Sequence, residues 1–522
     1  MKITKNRKTT KRLGIMYALF MTIGVAFGIR LFVLGNVFEG VDKEVEQIAQ
    51  REEEAEEKSV VAKATVMGNI YDRNRKLLVT TSLSDGSLQY KHDTAYTNTI
   101  GFFIRKKGSM LLMENYEPDL FYTKGDTNKG RNLMLTLDAT VQEYAHQLIQ
   151  MGSQEKGSIT VLDAKTGAVI AMASNPSVSI QEIQNYCSGD VEVGTWRDFV
   201  LNADKYAEPL TSPTVPGSIF KIVTSIGILE NGLENETVLD EGVWEKAEER
   251  NADGTIKKGY VKIENSKKAR YGNISFERGF IKSSNIYFGR MAYEKLGWNV
   301  LSDIVKRCKV GEMLKFDFGL VESVYSSELE PFDQSYPNED LARAAFGYGS
   351  VRLTSLQAAM ITQGIANDGV MCSPYMVDSI YETAGYEIAD GEYYYELGDE
   401  VASISGAPYK RGEKTQITNA EVANKITDAM LGVYEDKWAS SSVEGVTSGG
   451  IVVNGVKYPV AIKTGTADID TSMEDYNNTW MVSFAPADDP QYVVVVNRFG
   501  IDSGYGAHLF DDVMKMYSVL FQ

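Results

Sequence analysis

Between Ser218 and Leu229 the chain reads "SIFKIVTSIGIL", an apolar stretch in which Lys221 is the only charged residue. A lysine ammonium buried without partners costs several kcal/mol. Any fold that takes up this helix must therefore bring polar groups to Lys221 or leave it at the surface. Ser218 stands three residues earlier, so the two side chains share one helical face and can touch. Burial disfavours the ammonium and lowers the lysine pKa, which makes the amine a base for the serine hydroxyl. Pro216 and Gly217 precede Ser218 and place it at the helix start, where a backbone N–H has no intrahelical partner and can face an oxyanion. The spacing Ser-x-x-Lys is weak evidence by itself, since about two matches are expected by chance at average composition. A second match, Ser153 to Lys156, lies in a polar stretch before a strand. The lone lysine inside an apolar helix is what separates the two.

Two further segments carry suitable chemistry. In "IKSSNIYFGRMAYEKLG", Ser283-Ser284-Asn285 precedes a helix whose apolar face includes Tyr287, Phe288, Met291 and Leu296. Taken alone, that is an ordinary helix cap. In "VKYPVAIKTGTADI", Lys463 ends an apolar strand, and Thr464 and Thr466 alternate, so both can face one side. Gly465 between them has no side chain, so a substrate can lie close to the backbone. The triplet Lys-Thr-Gly also occurs at residues 165–167 in "ITVLDAKTGAVIAMA". There it separates two alternating apolar runs, and Asp163 and Gly167 predict a hairpin turn. A serine nucleophile, a lysine beside it, a second serine and a further basic group can pass protons without histidine. The chain carries them in the order Ser218, Ser283 and Lys463.

Composition narrows the alternatives. Lys plus Arg is 53 against 71 Asp plus Glu, a formal charge of −18. A chain this acidic repels phosphate backbones, so no nucleic acid partner is expected. Cys187, Cys308 and Cys372 are far apart and odd in number, which suits neither a disulfide framework nor a metal site. Only His92, His146 and His508 could supply a histidine triad or a metal cluster. No metal and no cofactor is expected.

Organisation along the chain follows from charge and periodicity. Residues 1–12 form a basic tail with Lys2, Lys5, Arg7, Lys8, Lys11 and Arg12, and residues 13–34 are an apolar run long enough to cross a bilayer as a helix. Basic residues before the run and acidic ones after it place the tail in the cytoplasm and the remainder outside the cell membrane. A cleaved signal peptide is the alternative, although no convincing cleavage site follows residue 34. Residues 35–59 are a charged stalk, and residues 60–150 are a small N-terminal module. Within that module Asp138 is set to cap a helix with Val141, Ala145, Leu148 and Met151 on one face. Residues 151–522 then run from two strands, through a long helical stretch with an irregular charged insert near 235–270, to further strands and a final helix. That order predicts an α+β fold, a mostly antiparallel sheet with helices on its faces.

The combination Ser218-x-x-Lys221, Ser283-x-Asn285 and Lys463-Thr464-Gly465 resembles the signature of the penicillin-binding and serine β-lactamase-like proteins. The segments "GNIYDRNRKLLVTT", "LMLTLDATVQ", "VLDAKTGAVIAMASNPS", "FGYGSVRLTSLQAAMITQGIANDGVMCSP" and "TWMVSFAP" are similar, in order, to blocks of class B penicillin-binding proteins. Met67 and Arg75 stand where that family usually has arginine and glycine. The resemblance implies a monofunctional peptidoglycan D,D-transpeptidase with a pedestal-like N-terminal module. Ser218 would then form an acyl-enzyme with a stem peptide ending in D-alanyl-D-alanine, with Lys221, Ser283 and Lys463 as the other catalytic groups. Asn285, Thr464, Gly465 and Thr466 would bind substrate, with Lys463, Thr464 and Thr466 receiving its terminal carboxylate, β-lactams would acylate Ser218, and an amine of a second stem peptide would take the acyl group. A polytopic glycosyltransferase partner, with a role in cell shape or cell division, is implied in the same way. A D,D-carboxypeptidase or β-lactamase of the same fold is one alternative. A β-lactam sensor or scaffold without activity is another. Digestion by protease added to wall-stripped cells is expected to remove the region after residue 34 and spare the basic tail. A soluble form beginning near residues 35–40 would instead identify a cleaved signal.

Overall fold

The computed structural model describes residues 66–82, 87–104, 108–122, 129–151, 156–183, 213–317, 319–322, 335–349, 351–389, 392–401, 411–468, 477–499 and 506–522. The apolar run at 13–34 and the charged stalk lie outside these residues. Among the described residues no helix is long and apolar enough to cross a membrane.

The run "YVVVVNRF" becomes the strand Tyr492–Phe499, in which Val493 to Val496 are all fully buried. Burial on both faces explains why its sequence is continuous rather than alternating. The strand lies at the centre of a five-stranded sheet ordered Ala461–Asp468, Asn477–Ala485, Tyr492–Phe499, Gly157–Asp163, Val169–Asn175. Every neighbouring pair is antiparallel, so the expected architecture holds. Register is set by pairs such as Val496 with Ile159 and Lys463 with Val482.

Helices cover both faces. On one, Ser355–Ala366 packs against the central strands with all twelve residues buried, and Thr160 of the sheet meets Ser355 at 3.1 Å. On the other, Ala139–Gln150 and Gly506–Leu520 pack side by side. Arg498 reaches from the sheet to Asp512 at 2.9 Å and donates to the carbonyls of Leu148 and Ile149. A buried ion pair whose remaining donors are satisfied in this way locks the helices in register with the sheet. The cap at Asp138 forms as expected, accepting from Thr140 and Val141 backbone N–H groups. Val141, Ala145 and Leu148 are buried, but Met151 is 52% exposed because the helix ends at Gln150.

A second sheet is ordered Glu392–Glu400, Val377–Ala389, Asn132–Leu135, Ile70–Tyr71, Leu77–Thr81, Leu88–Tyr90. Strands from early in the chain thus pair with strands from residues 377–400, contacts remote in sequence. The charged insert near 235–270 is not irregular. It folds as short antiparallel pairs, Val243–Lys246 with Val261–Glu264 and Glu249–Arg250 with Ile256–Lys258. Val261 to Glu264 alternates in burial, and the strands Val243–Lys246, Glu249–Arg250 and Ile256–Lys258 have no buried residue, which leaves them too polar to recognise by apolar content.

Candidate active site

Ser218 sits in a single 3-10 turn, Gly217–Phe220, that runs directly into the helix Lys221–Glu230. The turn is pinned to the sheet from several sides. Asn478 and Trp480 side chains both donate to the Val215 carbonyl at 3.0 Å, and Gly217 N–H donates to Gly347 O at 3.1 Å. Gly217 has φ +53°, and a Cβ there would stand 2.6 Å from Thr466 O. Gly465 is as tight, since its Cβ would stand 2.6 Å from Pro216 O. The close approach that Gly465 permits is therefore made by the turn that carries Ser218, although Gly465 also lines the cleft. Any side chain at either glycine would separate the edge strand Ala461–Asp468 from Ser218.

Lys221 is fully buried. Its Nζ lies 2.9 Å from Ser218 Oγ, 3.1 Å from Ser283 Oγ, 2.6 Å from Ser283 O and 2.8 Å from Asn285 Oδ1. None of these partners is a carboxylate. Burial holds its pKa well below the usual lysine range; Lys437 adds to the depression and Asp240 opposes it. A neutral amine has two N–H groups and one lone pair. The Ser283 carbonyl and Asn285 Oδ1 can only accept, so they take the two N–H groups. The lone pair is then left for a serine hydroxyl proton.

Lys463 is also fully buried, and its Nζ donates to Ser283 Oγ at 3.0 Å and to Thr464 O at 2.9 Å. Burial is again the first cause of its depressed pKa, followed by Lys221 and Lys437. Ser283 Oγ thus bridges two lysines that lie far apart in sequence. It is presented by an uncommon backbone conformation, φ +55°, between the helices Phe276–Ile281 and Asn285–Met291. For a residue with a Cβ this costs about 1–2 kcal/mol, which surrounding contacts must offset. The cap reading of this segment also holds, for the neighbouring residue: Ser284 Oγ accepts from Tyr287 N–H at 2.9 Å.

Those surrounding contacts come from the charged insert, where sequence reasoning assigned no function. Asp240 is fully buried. It accepts from Ser284 Oγ at 2.5 Å, from Asn265 Nδ2 at 2.8 Å and from Gly242 N–H at 3.0 Å. Asn265 Oδ1 in turn accepts from the backbone N–H of Asn285 at 2.8 Å. Asp240 and Asn265 therefore clamp the serine-asparagine turn. The strands that carry them have no distinctive pattern, and only three-dimensional contact identifies them.

Ser218, Ser283, Asn285, Thr464, Gly465 and Thr466 line a single cleft of about 1090 Å³. Lys221 and Lys463 lie behind its wall. The other Lys-Thr-Gly triplet is a hairpin turn between Gly157–Asp163 and Val169–Asn175, at the opposite edge of the sheet from Lys463. Asp163 Oδ1 accepts from the backbone N–H groups of Lys165 and Thr166, Gly167 has φ +76°, and Lys165 makes a surface ion pair with Asp489 at 3.5 Å. Ser153 of the alternative Ser-x-x-Lys match lies outside the described residues.

Comparison with known proteins places the chain in a family. The family model described as the penicillin binding protein transpeptidase domain matches residues 157–515. The peptidoglycan D,D-transpeptidase PbpA of Mycolicibacterium smegmatis is 27% identical over 394 residues, 72% of this chain and 68% of that protein. The crystal structure of the D,D-transpeptidase domain of a peptidoglycan glycosyltransferase from Eggerthella lenta superposes with a TM-score of 0.64 at 25% identity, covering 88% of this chain and 99% of that one. The penicillin G acyl-enzyme complex of penicillin-binding protein A from Mycobacterium tuberculosis shares the fold, with a TM-score of 0.66 at 21% identity over 88% of this chain and all of that one.

Replacing Asp240 tests the clamp. Asp240→Ala leaves Ser284, Asn265 and Gly242 without their acceptor and is expected to lower unfolding free energy by about 2 kcal/mol, read from the urea midpoint. Asp240→Asn turns one acceptor into a donor aimed at other donors and is expected to lose at least half as much. Unchanged midpoints in both variants would show that the turn is held by other contacts.

Proposed function

The chain belongs to the penicillin-binding protein transpeptidase family, and we propose that Ser218 is the nucleophile of its peptidoglycan D,D-transpeptidase reaction. One observation carries the assignment: a fully buried lysine amine lies within hydrogen-bond distance of two serine hydroxyls, with acceptor-only groups occupying its N–H bonds. Ser218 Oγ attacks the carbonyl of the penultimate D-alanine of a stem peptide as Lys221 Nζ takes the hydroxyl proton. The developing oxyanion is met by the backbone N–H groups of Ser218 and Thr466. The peptide C–N bond breaks, and Ser283, bridging Lys221 and Lys463, delivers the proton to the departing D-alanine. Asn285 orients the donor amide, and Thr464 and Thr466 receive the terminal carboxylate beside Gly465. An amine of a neighbouring stem peptide then attacks the ester, passes its proton back along the same path and releases Ser218. A β-lactam enters by the first step and remains as the acyl-enzyme.

Transfer to an amine is favoured over hydrolysis by the composition of the cleft. Among the described residues, Ser218 Oγ has one hydrogen-bond partner, Lys221, and no carboxylate contacts it. Of the carboxylates lining the cleft, Glu264 pairs with Lys262, Glu339 with Arg343 and Asp436 with Lys282. Among the described residues, therefore, no unpaired glutamate lines the cleft to activate a deacylating water. The proposed organisation keeps residues 1–12 in the cytoplasm, 13–34 as an anchor in the cell membrane, 35–59 as a stalk, 60–150 as a pedestal-like module and 151–522 as the extracytoplasmic catalytic domain. A polytopic glycosyltransferase would supply the strands to be cross-linked, during elongation, division or sporulation.

Intact-mass measurement after benzylpenicillin treatment is expected to show one adduct, on a peptide containing Ser218, that is lost in Ser218→Ala and kept in Ser153→Ala. Lys463→Ala is expected to slow acylation by about a hundredfold, the scale for loss of a transition-state electrostatic partner, and Lys165→Ala by less than threefold. An adduct surviving Ser218→Ala, or equal losses from the two lysine variants, would overturn the assignment.

The acylation rate should also report the protonation of Lys221. The neutral amine is the active form, so the rate is expected to rise with pH through the lowered lysine pKa and then level off. A rate still climbing towards pH 10.5, the ordinary lysine value, would show that Lys221 is not the base.

A further inference from the structure

A carboxylate that leaves water needs a positive charge or several donors in return. The wall where the donor's terminal carboxylate would lie is formed by Thr464, Gly465 and Thr466, all of them neutral. Lys463 belongs to the same strand but does not reach that wall. It is fully buried, and its ammonium is turned inward to Ser283 Oγ and Thr464 O. The charge facing the carboxylate must come from elsewhere.

Four cations line the cleft: Lys262, Lys282, Arg343 and Lys437. Three of them have carboxylate partners. Lys282 pairs with Asp436 at 2.6 Å, Arg343 with Glu339 at 2.6 Å and Lys262 with Glu264 at 3.8 Å. Lys437 has no carboxylate partner among the described residues. Its one hydrogen bond runs to the cleft wall, from Nζ to Thr464 Oγ1 at 3.4 Å. Because the hydroxyl accepts from Lys437, its own hydrogen remains available for a second group in the cleft. Lys437 is the last residue of the helix Ala420–Lys437, which packs against the edge strand and fixes where the side chain starts. The side chain is exposed to the cleft, yet the protein around the ammonium withdraws enough water to lower its pKa, and nearby Lys282 lowers it further against Asp436. A cation held in that condition gains by taking an anion.

From this geometry we infer that Lys437 is a carboxylate-binding residue, which, with the Thr464 hydroxyl, holds the terminal carboxylate of the donor peptide and the equivalent carboxylate of a β-lactam. The inference rests on the transpeptidase reading and assigns the positive charge of its carboxylate subsite to a helix that carries none of the three sequence motifs. Lys463 is left to the proton path through Ser283. The two lysines thus divide work that one strand lysine would otherwise do alone.

The test compares two probes that differ only at the carboxylate, benzylpenicillin and its methyl ester, by following the rate of Ser218 acylation. Wild-type protein is expected to prefer the acid. On the high-pH plateau, where Lys221 is neutral in both proteins, Lys437→Ala is expected to slow acylation by benzylpenicillin about tenfold and to leave the ester within twofold of wild type. Lys437→Arg should restore most of the rate with the acid, because it keeps the charge. Lys437 also depresses the pKa of Lys221, so a role exercised only through the base would change both probes alike. Equal losses with acid and ester would overturn the inference, as would a Lys437→Ala rate within twofold of wild type for the acid. Failure of wild-type protein to be acylated at Ser218 would instead refute the transpeptidase reading on which the inference stands.

Discussion

The lysine at position 221 is sealed from water, and every group within hydrogen-bond distance of its amine is neutral. A fully charged ammonium would be poorly compensated there, so burial favours the neutral amine, the form that the proposed reaction requires. The rest of the site supports that form. The Ser283 carbonyl and Asn285 amide oxygen occupy the N–H bonds, and the buried Asp240 and Asn265 hold the turn from which both groups project. Asp240 is close enough to oppose the fall in the Lys221 pKa but makes no ion pair with it. Loss of the lysine's isolation, rather than loss of one contact, would be the most damaging change to this centre.

Isolation requires backbone segments to pack without room for water, and small residues supply it. Gly217 and Gly465 face one another across the nucleophile turn and the edge strand, each with a carbonyl 2.6 Å from where a Cβ would be. Gly347 closes the third side, where a Cβ would stand 2.1 Å from Gly217 O. Asn478 and Trp480 of the next strand anchor the chain just before the turn. The serine is thereby fixed to the sheet, and its partners are fixed to the helices. The relative position of these two bodies determines whether the lysine bridges them.

The cleft itself is strongly polar, but most of its charges are satisfied within the protein. Paired cations and carboxylates along the rim present little net field to a bound peptide. Selectivity for an anionic terminus then depends on whichever charge is left over, and a side chain outside the recognisable motifs can supply it. Pairing on the rim also keeps carboxylates away from Ser218, which suits an enzyme whose acyl group must wait for an amine.

The apolar helix with one lysine, the alternating runs around residues 164–167 and the continuous valines at 493–496 were sufficient to indicate a serine–lysine pair, a hairpin and a strand, though not that strand's central place in the sheet. These are local consequences of periodicity and of the cost of burying charge. The order of the three motifs along the chain separated the Lys-Thr-Gly that borders the cleft from the one that turns a hairpin. Tertiary structure alone decided three other matters. It turned Ser283 to the two buried lysines and left the cap to Ser284, because a backbone angle of +55° is stabilised by partners from residues 240 and 265 rather than by its own neighbours. It turned Lys463 away from the cleft and brought Lys437 to its wall. It also gave Gly465 a neighbour within the protein, Pro216, where the sequence could suggest only that something approaches closely. Each of these depends on contacts between segments far apart in the chain, and hydrophobic periodicity carries no record of which distant backbone will lie against a given residue.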